Sequence, residues 1–127
     1  MILRLYNYIK PTECQEVLGM ENGAISDGQI SASSRYSDET HPSRARLFLV
    51  RTIYQSGGWA AQTFDGNQWL QVDLNSHYRV TRVATQGRNN ENGYQWVTTY
   101  KLQYENDGGN FQNYKEQGQS TDKVECT

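Results

Sequence analysis

Alternation at period two, cut into short pieces by turn residues, is the feature that most limits what this chain can become. Residues 98–105, TTYKLQYE, place Tyr100, Leu102 and Tyr104 on one side and Thr99, Lys101, Gln103 and Glu105 on the other. Successive strand side chains point to opposite faces, so this spacing predicts a half-buried strand over 98–105. The next five residues, NDGGN at 106–110, supply glycines able to take positive φ. Residues 111–116, FQNYKE, then predict the returning partner strand. In 68–74, QWLQVDL, the alternation holds from Leu70 through Val72 and Leu74, with Trp69 out of phase. Residues 80–85, VTRVAT, are rich in β-branched side chains and predict another strand. No window carries helical spacing. Several short strands separated by turns predict an all-β sandwich or barrel.

A chain of 127 residues fits one domain with a modest core. Twelve basic and fourteen acidic residues leave a formal charge of −2, so nothing in the overall charge attracts nucleic acid or anionic lipid. The Lys and Arg residues are scattered rather than gathered into a nucleic-acid footprint. Mean hydropathy is low at −0.87, partly offset by nine tyrosines and three tryptophans, whose rings bury large areas. Trp69 and Trp96 lie in or beside predicted strands and are expected in the core. His41 and His77 have no metal-ligand spacing with either cysteine, which argues against zinc. No nucleophile elbow, zinc-protease helix or phosphate-binding loop signature is present, and no carboxylates are marked as a catalytic pair, so no enzyme is expected. No apolar run approaches the roughly 20 residues that span a bilayer. Residues 1–11, MILRLYNYIKP, are interrupted by Arg4, Asn7 and Lys10 and make a poor signal peptide. Cys14 and Cys126 allow one disulfide in an oxidising compartment, but sequence alone does not bring the sulfurs together.

Four phrases read together carry more: LGMENGAISDGQISASSRY at 18–36, ARL at 45–47, QWLQVDL at 68–74 and VTRVATQGR at 80–88. In this order they resemble the discoidin domain, also called the coagulation factor V/VIII C-type domain. The resemblance covers roughly residues 14–124. It implies a discoidin-type jelly-roll β-sandwich that is extracellular, binds a ligand through loops at one end and catalyses nothing. It divides the chain into an N-terminal extension, 1–13, and a domain, 14–127. It also favours a true start upstream of Met1, and it implies a structural role for Trp59, which follows Gly57 and Gly58. After YKEQG at 114–118 the family pattern continues through strands that this sequence lacks, so the sandwich is expected to be incomplete at the C-terminus. Cys14 matches the family's opening cysteine. Cys126 comes too early to be the closing one, and the family disulfide is not carried over to this pair.

The resemblance also locates the loops. The first, 32–45 (ASSRYSDETHPSRA), holds Arg35, Tyr36, Ser37, Asp38 and Glu39. Membrane-binding members carry large apolar residues here, whereas two adjacent carboxylates are repelled by an anionic membrane. Tyr36 stands where a related tyrosine walls a ligand pocket in neuropilin-like members. The tryptophan those members place nearby is replaced by Thr40, which weakens a pocket for a basic peptide end. The second loop, 50–58, offers Arg51 and Tyr54, and the third, 88–95, offers Asn89, Asn90 and Tyr94. Amides that both donate and accept, with rings that stack on sugar faces, suit a glycan or a protein epitope; the alternative is that these are ordinary solvated loops. Asn22 and Asp27 read as turn residues beside glycine. Their oxygens are also weak candidates for calcium, which some relatives bind near this point; no other cofactor is expected. The sequence therefore predicts an adhesion or recognition module for a glycan or a cell-surface or matrix protein, with acidic phospholipid ranked lower and no nucleic acid. Two alternatives stay open: a carbohydrate-binding accessory module of a secreted enzyme, and a truncated product without function.

Overall fold

The structure is a computed structural model that describes residues 4–7, 16–90, 93–106, 108–115 and 124–126. Its strands are β1 (Arg4–Asn7), β2 (Glu16–Val17), β3 (Ile30–Ala32), β4 (Leu70–Val72), β5 (Val80–Ala84) and β6 (Arg88–Asn90). They continue with β7 (Gly93–Gln95), β8 (Thr99–Lys101), β9 (Gln103–Tyr104), β10 (Gln112–Asn113) and β11 (Val124–Cys126). Among the described residues there is no α-helix. The helical geometry is confined to single 3₁₀ turns at Asp27–Gln29, Asp38–Thr40 and Pro42–Arg44. Among the described residues every strand pairing is antiparallel. The pairings give a three-stranded sheet, β2-β1-β5, and the two-stranded sets β3-β4, β6-β7, β8-β11 and β9-β10. They agree with an all-β chain, while a closed sandwich is not drawn by these pairings. Two compact units are formed, Met1–Trp96 and Val97–Thr127.

In the first unit the core is Met20, Ile25 and Ile30, with Leu18, Leu70, Val72, Leu74 and Val83 packed against it. Leu70, Val72 and Leu74 reach the core together because the strand repeat is two residues. β3 presents Ile30 opposite Val72 and Ala32 opposite Leu70. The pairing is extended at both ends. Asp73 N donates to Gln29 O (2.8 Å) and Ser33 N to Trp69 O (3.0 Å). Full burial of a side chain such as Ile30 is worth about 1.5–3 kcal/mol. β1 is the central strand of its sheet, with Leu5 opposite Val83 and a bulge before Asn7. Residues 4–7, read from sequence as part of an extension ahead of the domain, are thus tied into the sheet by strand pairing. Cys14 lies outside the described residues, so the disulfide question does too.

Two tryptophan expectations are corrected. Trp69 is 49% exposed and Trp96 is 60% exposed. Trp69 is one residue out of phase with Leu70, and a one-residue offset turns a strand side chain to the other face. Trp59 is buried as expected, and its indole N–H donates to Ser34 O (2.9 Å).

In the second unit the single strand expected over 98–105 is two. β8 pairs with β11, β9 pairs with β10, and Leu102 stands between them where the partner changes. The hairpin expected after it is present. Tyr104 lies opposite Gln112, Tyr114 N donates to Leu102 O (2.8 Å), and Gly108 takes φ 71°. Tyr100 and Leu102 are half-buried, whereas Tyr104 is exposed.

Candidate functional site

The three loops named from the sequence are tied together at one short segment, Ser56 to Ala60. From the first loop, Tyr36 N donates to Ala60 O (2.9 Å), and Glu39 O accepts from Ser56 N (3.0 Å). Arg44, at the end of the first, donates from Nε to Ser56 O (2.9 Å) and from Nη2 to Val50 O (3.3 Å), both in the second. In the third, Arg88 Nη1 donates to Ser56 Oγ (2.7 Å). Ser56, Gly57, Gly58 and Trp59 are buried. The approach of Arg88 depends on Gly58, where a Cβ would lie 2.7 Å from Arg88 Cβ. Residues distant in sequence are therefore held on one buried floor.

The first loop is stiffened from within. Thr40 is buried where the related members carry a ring. Its hydroxyl donates to Ser37 O (3.0 Å) and accepts from Ser37 N (2.9 Å), closing the 3₁₀ turn. Arg35 pairs with Asp38 (2.7 Å), leaving Asp38 largely exposed. Tyr36 and Glu39 are exposed and Ser37 is half-buried. His41 Nδ1 accepts from Ser43 N (3.3 Å), so this histidine caps the next turn.

The second loop departs most from expectation. Tyr54 and Arg51 are exposed, and so are Val50 and Ile53, the last by 83%, and Phe48 just ahead of the loop. Phe48 sits in the left-handed region at φ 57° and is held there by its N–H on Gln86 Oε1 (3.1 Å). A non-glycine residue in this region is strained. The loop also bonds to itself, with Thr52 N on Gln55 O (2.9 Å) and Tyr54 N on Thr52 Oγ1 (3.3 Å). Four large apolar side chains, Phe48, Val50, Ile53 and Tyr54, are thus exposed within residues 48–54.

The third loop is the β6–β7 hairpin, with Arg88 opposite Gln95 and Asn89 opposite Tyr94. Arg88 Nε and Nη2 both donate to Gln95 Oε1 (2.9 and 2.6 Å). Strand alternation then turns Tyr94 to the opposite face from Gln95. Tyr94 is exposed, but the hairpin does not bring it to the Arg88 side with Tyr36. The side chains of Asn89 and Asn90 lie outside what is described. Burial lowers the affinity of Arg88 for its proton below the ordinary arginine value, opposed by the nearby Tyr36; Arg44 is lowered by burial in the same way, opposed by Asp27. Both remain charged at physiological pH.

Asn22 and Asp27 are engaged elsewhere. Asn22 Oδ1 accepts from Ala24 N (3.0 Å), a local turn. Asp27 Oδ1 accepts from Arg46 Nη2 (2.6 Å). The buried Arg46 guanidinium also donates to Met20 O (2.7 Å) and Ile25 O (2.9 Å). It gathers one carboxylate and two carbonyls, the oxygen types that calcium prefers. With Arg46 in place these residues do not fit a calcium ion.

Against this geometry the comparisons with known proteins are specific. Residues 29–126 match the F5/8 type C domain. The chain belongs to that family. It is 38% identical to lactadherin of Bos taurus over 116 residues, 89% of this chain and 27% of that protein. Identity is 38% over 117 residues to human EGF-like repeat and discoidin I-like domain-containing protein 3, 87% of this chain and 24% of that protein. It is 35% over 115 residues to coagulation factor V of Sus scrofa, 87% of this chain and 5% of that protein. The chain thus spans about a quarter of the lactadherin it matches. F5/8 type C domains are extracellular, non-catalytic binding modules whose fold is a β-sandwich.

Sequence reasoning missed Phe48, Val50 and Ile53, and it missed Arg44, Ser56 and Arg88 as joints between the loops. The first three stand in LFLVRTIY, an apolar run whose direction, inward or outward, is not encoded by composition. Arg88 ends the matched phrase VTRVATQGR, and this was the available signal for it.

Proposed function

We propose that this F5/8 type C domain is an adhesion or recognition module that takes a glycan or a cell-surface or matrix protein through its three loops, within a discoidin-type jelly roll. The observation that carries the reading is the common floor at Ser56–Ala60, which holds the first, second and third loops together. A ligand touching one loop then meets preorganised neighbours, and preorganisation lowers the ordering cost of binding. Tyr36 and Tyr54 offer exposed rings, and the amide-rich hairpin offers donors and acceptors.

A second reading has its own observation. Phe48, Val50, Ile53 and Tyr54 form an apolar display that suits a protein surface or the acyl region of a membrane. Against the membrane stand the exposed Asp38 and Glu39 of the first loop. A glycan array probed beside vesicles of phosphatidylcholine, with and without phosphatidylserine, separates the two. Array hits with no vesicle binding support recognition of a glycan. A blank array with tight binding to the serine-lipid vesicles overturns it.

A further inference from the structure

Resting on the glycan reading above, we propose that Arg88, which meets Arg44 at Ser56, is the subsite for the carboxylate of an acidic sugar. Two guanidinium groups converge on one buried serine, Arg44 on its carbonyl and Arg88 on its hydroxyl. Both are half-buried. Among the described residues, ion pairs join Arg35 to Asp38 and Arg46 to Asp27, and no described carboxylate pairs with Arg44 or Arg88. Their described partners are neutral oxygens, from Ser56, Val50 and Gln95. Asp27 acts on the charge of Arg44, but no described carboxylate pairs with Arg88; a positive charge partly desolvated in this way is unfavourable, and an arriving anion relieves it.

The chemistry selects a planar oxyanion. A guanidinium offers a fork of donors that matches a carboxylate in bidentate fashion. Arg88 is fixed for this use, because Gln95 Oε1 anchors one edge, Ser56 Oγ holds Nη1, and its stem lies on Gly58. Tyr36, whose ring is exposed, is tied by its N–H to Ala60 O (2.9 Å), on the same floor segment as Gly58, on which the Arg88 stem lies. An exposed ring and a guanidinium held on one floor suit a charged saccharide, with an apolar face for the sugar and a fork for its acid group. The polar first loop adds specificity, since Asp38 and Glu39 repel ligands carrying negative charge elsewhere.

The test is calorimetric titration of the whole chain with 3′-sialyllactose, lactose and a 3′-sulfated lactose, alongside vesicles containing phosphatidylserine. Sialyllactose is expected to bind about tenfold or more tighter than lactose, and Arg88→Gln to abolish that margin. Arg88→Lys, which keeps the charge without the fork, is expected to lose most of it and serves if Arg88→Gln does not fold. Arg82→Gln, an equal charge change on the exposed side of β5, should leave it intact. Equal binding of lactose and sialyllactose, or a sialyllactose margin that survives Arg88→Gln and Arg88→Lys, overturns the subsite and leaves the glycan reading standing. Preference for the sulfated sugar overturns the carboxylate assignment. Arg88-dependent capture of vesicles without saccharide binding assigns the site to a lipid headgroup and overturns the sugar. No saccharide binding together with a blank array overturns both readings.

Discussion

Arg46 ties its own segment to the turn that carries Met20, Ile25 and Asp27, by one bond to each. Its removal leaves two carbonyls of buried residues without donors, at about 1–3 kcal/mol each. Arg46→Met is therefore expected to destabilise the fold by about 3 kcal/mol, read as a lower urea midpoint at unchanged slope. Asp27→Asn is expected to cost under about 1 kcal/mol, because its side chain is 72% exposed and such pairs are screened. Equal effects of the two changes would show that the charge pair, not the carbonyls, holds the segment. Asp65 works differently. Its carboxylate accepts from Asn67 N (2.8 Å), Gln68 Nε2 (2.9 Å) and Thr63 Oγ1 (3.2 Å). The Gln68 bond first, then Asn67, hold its pKa below the ordinary value. A depressed carboxylate contributes stability above its unfolded pKa of about 3.9 and loses it as pH falls through the folded value. Asp65→Asn should flatten that acid limb in a pH series of melts, by a small amount because the group is exposed to solvent.

At the scale of elements, the second loop combines strain with apolar exposure. Left-handed geometry at Phe48 costs about 1–2 kcal/mol, which glycine escapes. Phe48→Gly should therefore hold or raise the melting temperature while weakening ligand capture on the array or the vesicles, the trade expected of strain kept for function. A variant that loses stability and keeps full binding would make the geometry purely structural. Gly58 links the floor to the third loop. In Gly58→Ala the added Cβ meets Arg88 Cβ, an atom fixed to its own backbone, so the strand or the floor must shift. A cost of about 1–3 kcal/mol is expected, with amide chemical-shift changes concentrated at Ser56 and Arg88. The strands themselves were legible. β4 and β5 fall where alternation and β-branching put them, and the β9–β10 hairpin follows NDGGN. The break at Leu102 was not legible, because it comes from a change of pairing partner rather than from any residue within 98–105.

For the molecule as a whole, cohesion of the first unit concentrates around Met20, Ile25 and Ile30. Amides whose bonds cross this region should exchange slowest, namely Ile25 onto Gly19 O and Asp73 onto Gln29 O. The amide of Tyr54, bonded within an exposed loop, should exchange among the fastest. Exchange measured residue by residue checks this order, and a uniform rate would contradict a localised core. The sequence by itself determined the all-β class, the family, and the face that Leu70, Val72 and Leu74 turn inward. These follow from local periodicity and from phrases read in order, and both are properties of neighbouring residues. The tertiary structure alone decided that Trp69 and Trp96 face outward, that Phe48, Val50 and Ile53 are displayed, and that Arg44 and Arg88 meet at Ser56. Those outcomes depend on which distant segments pack together, and the free energy of such packing is set by contacts between residues that no local pattern pairs.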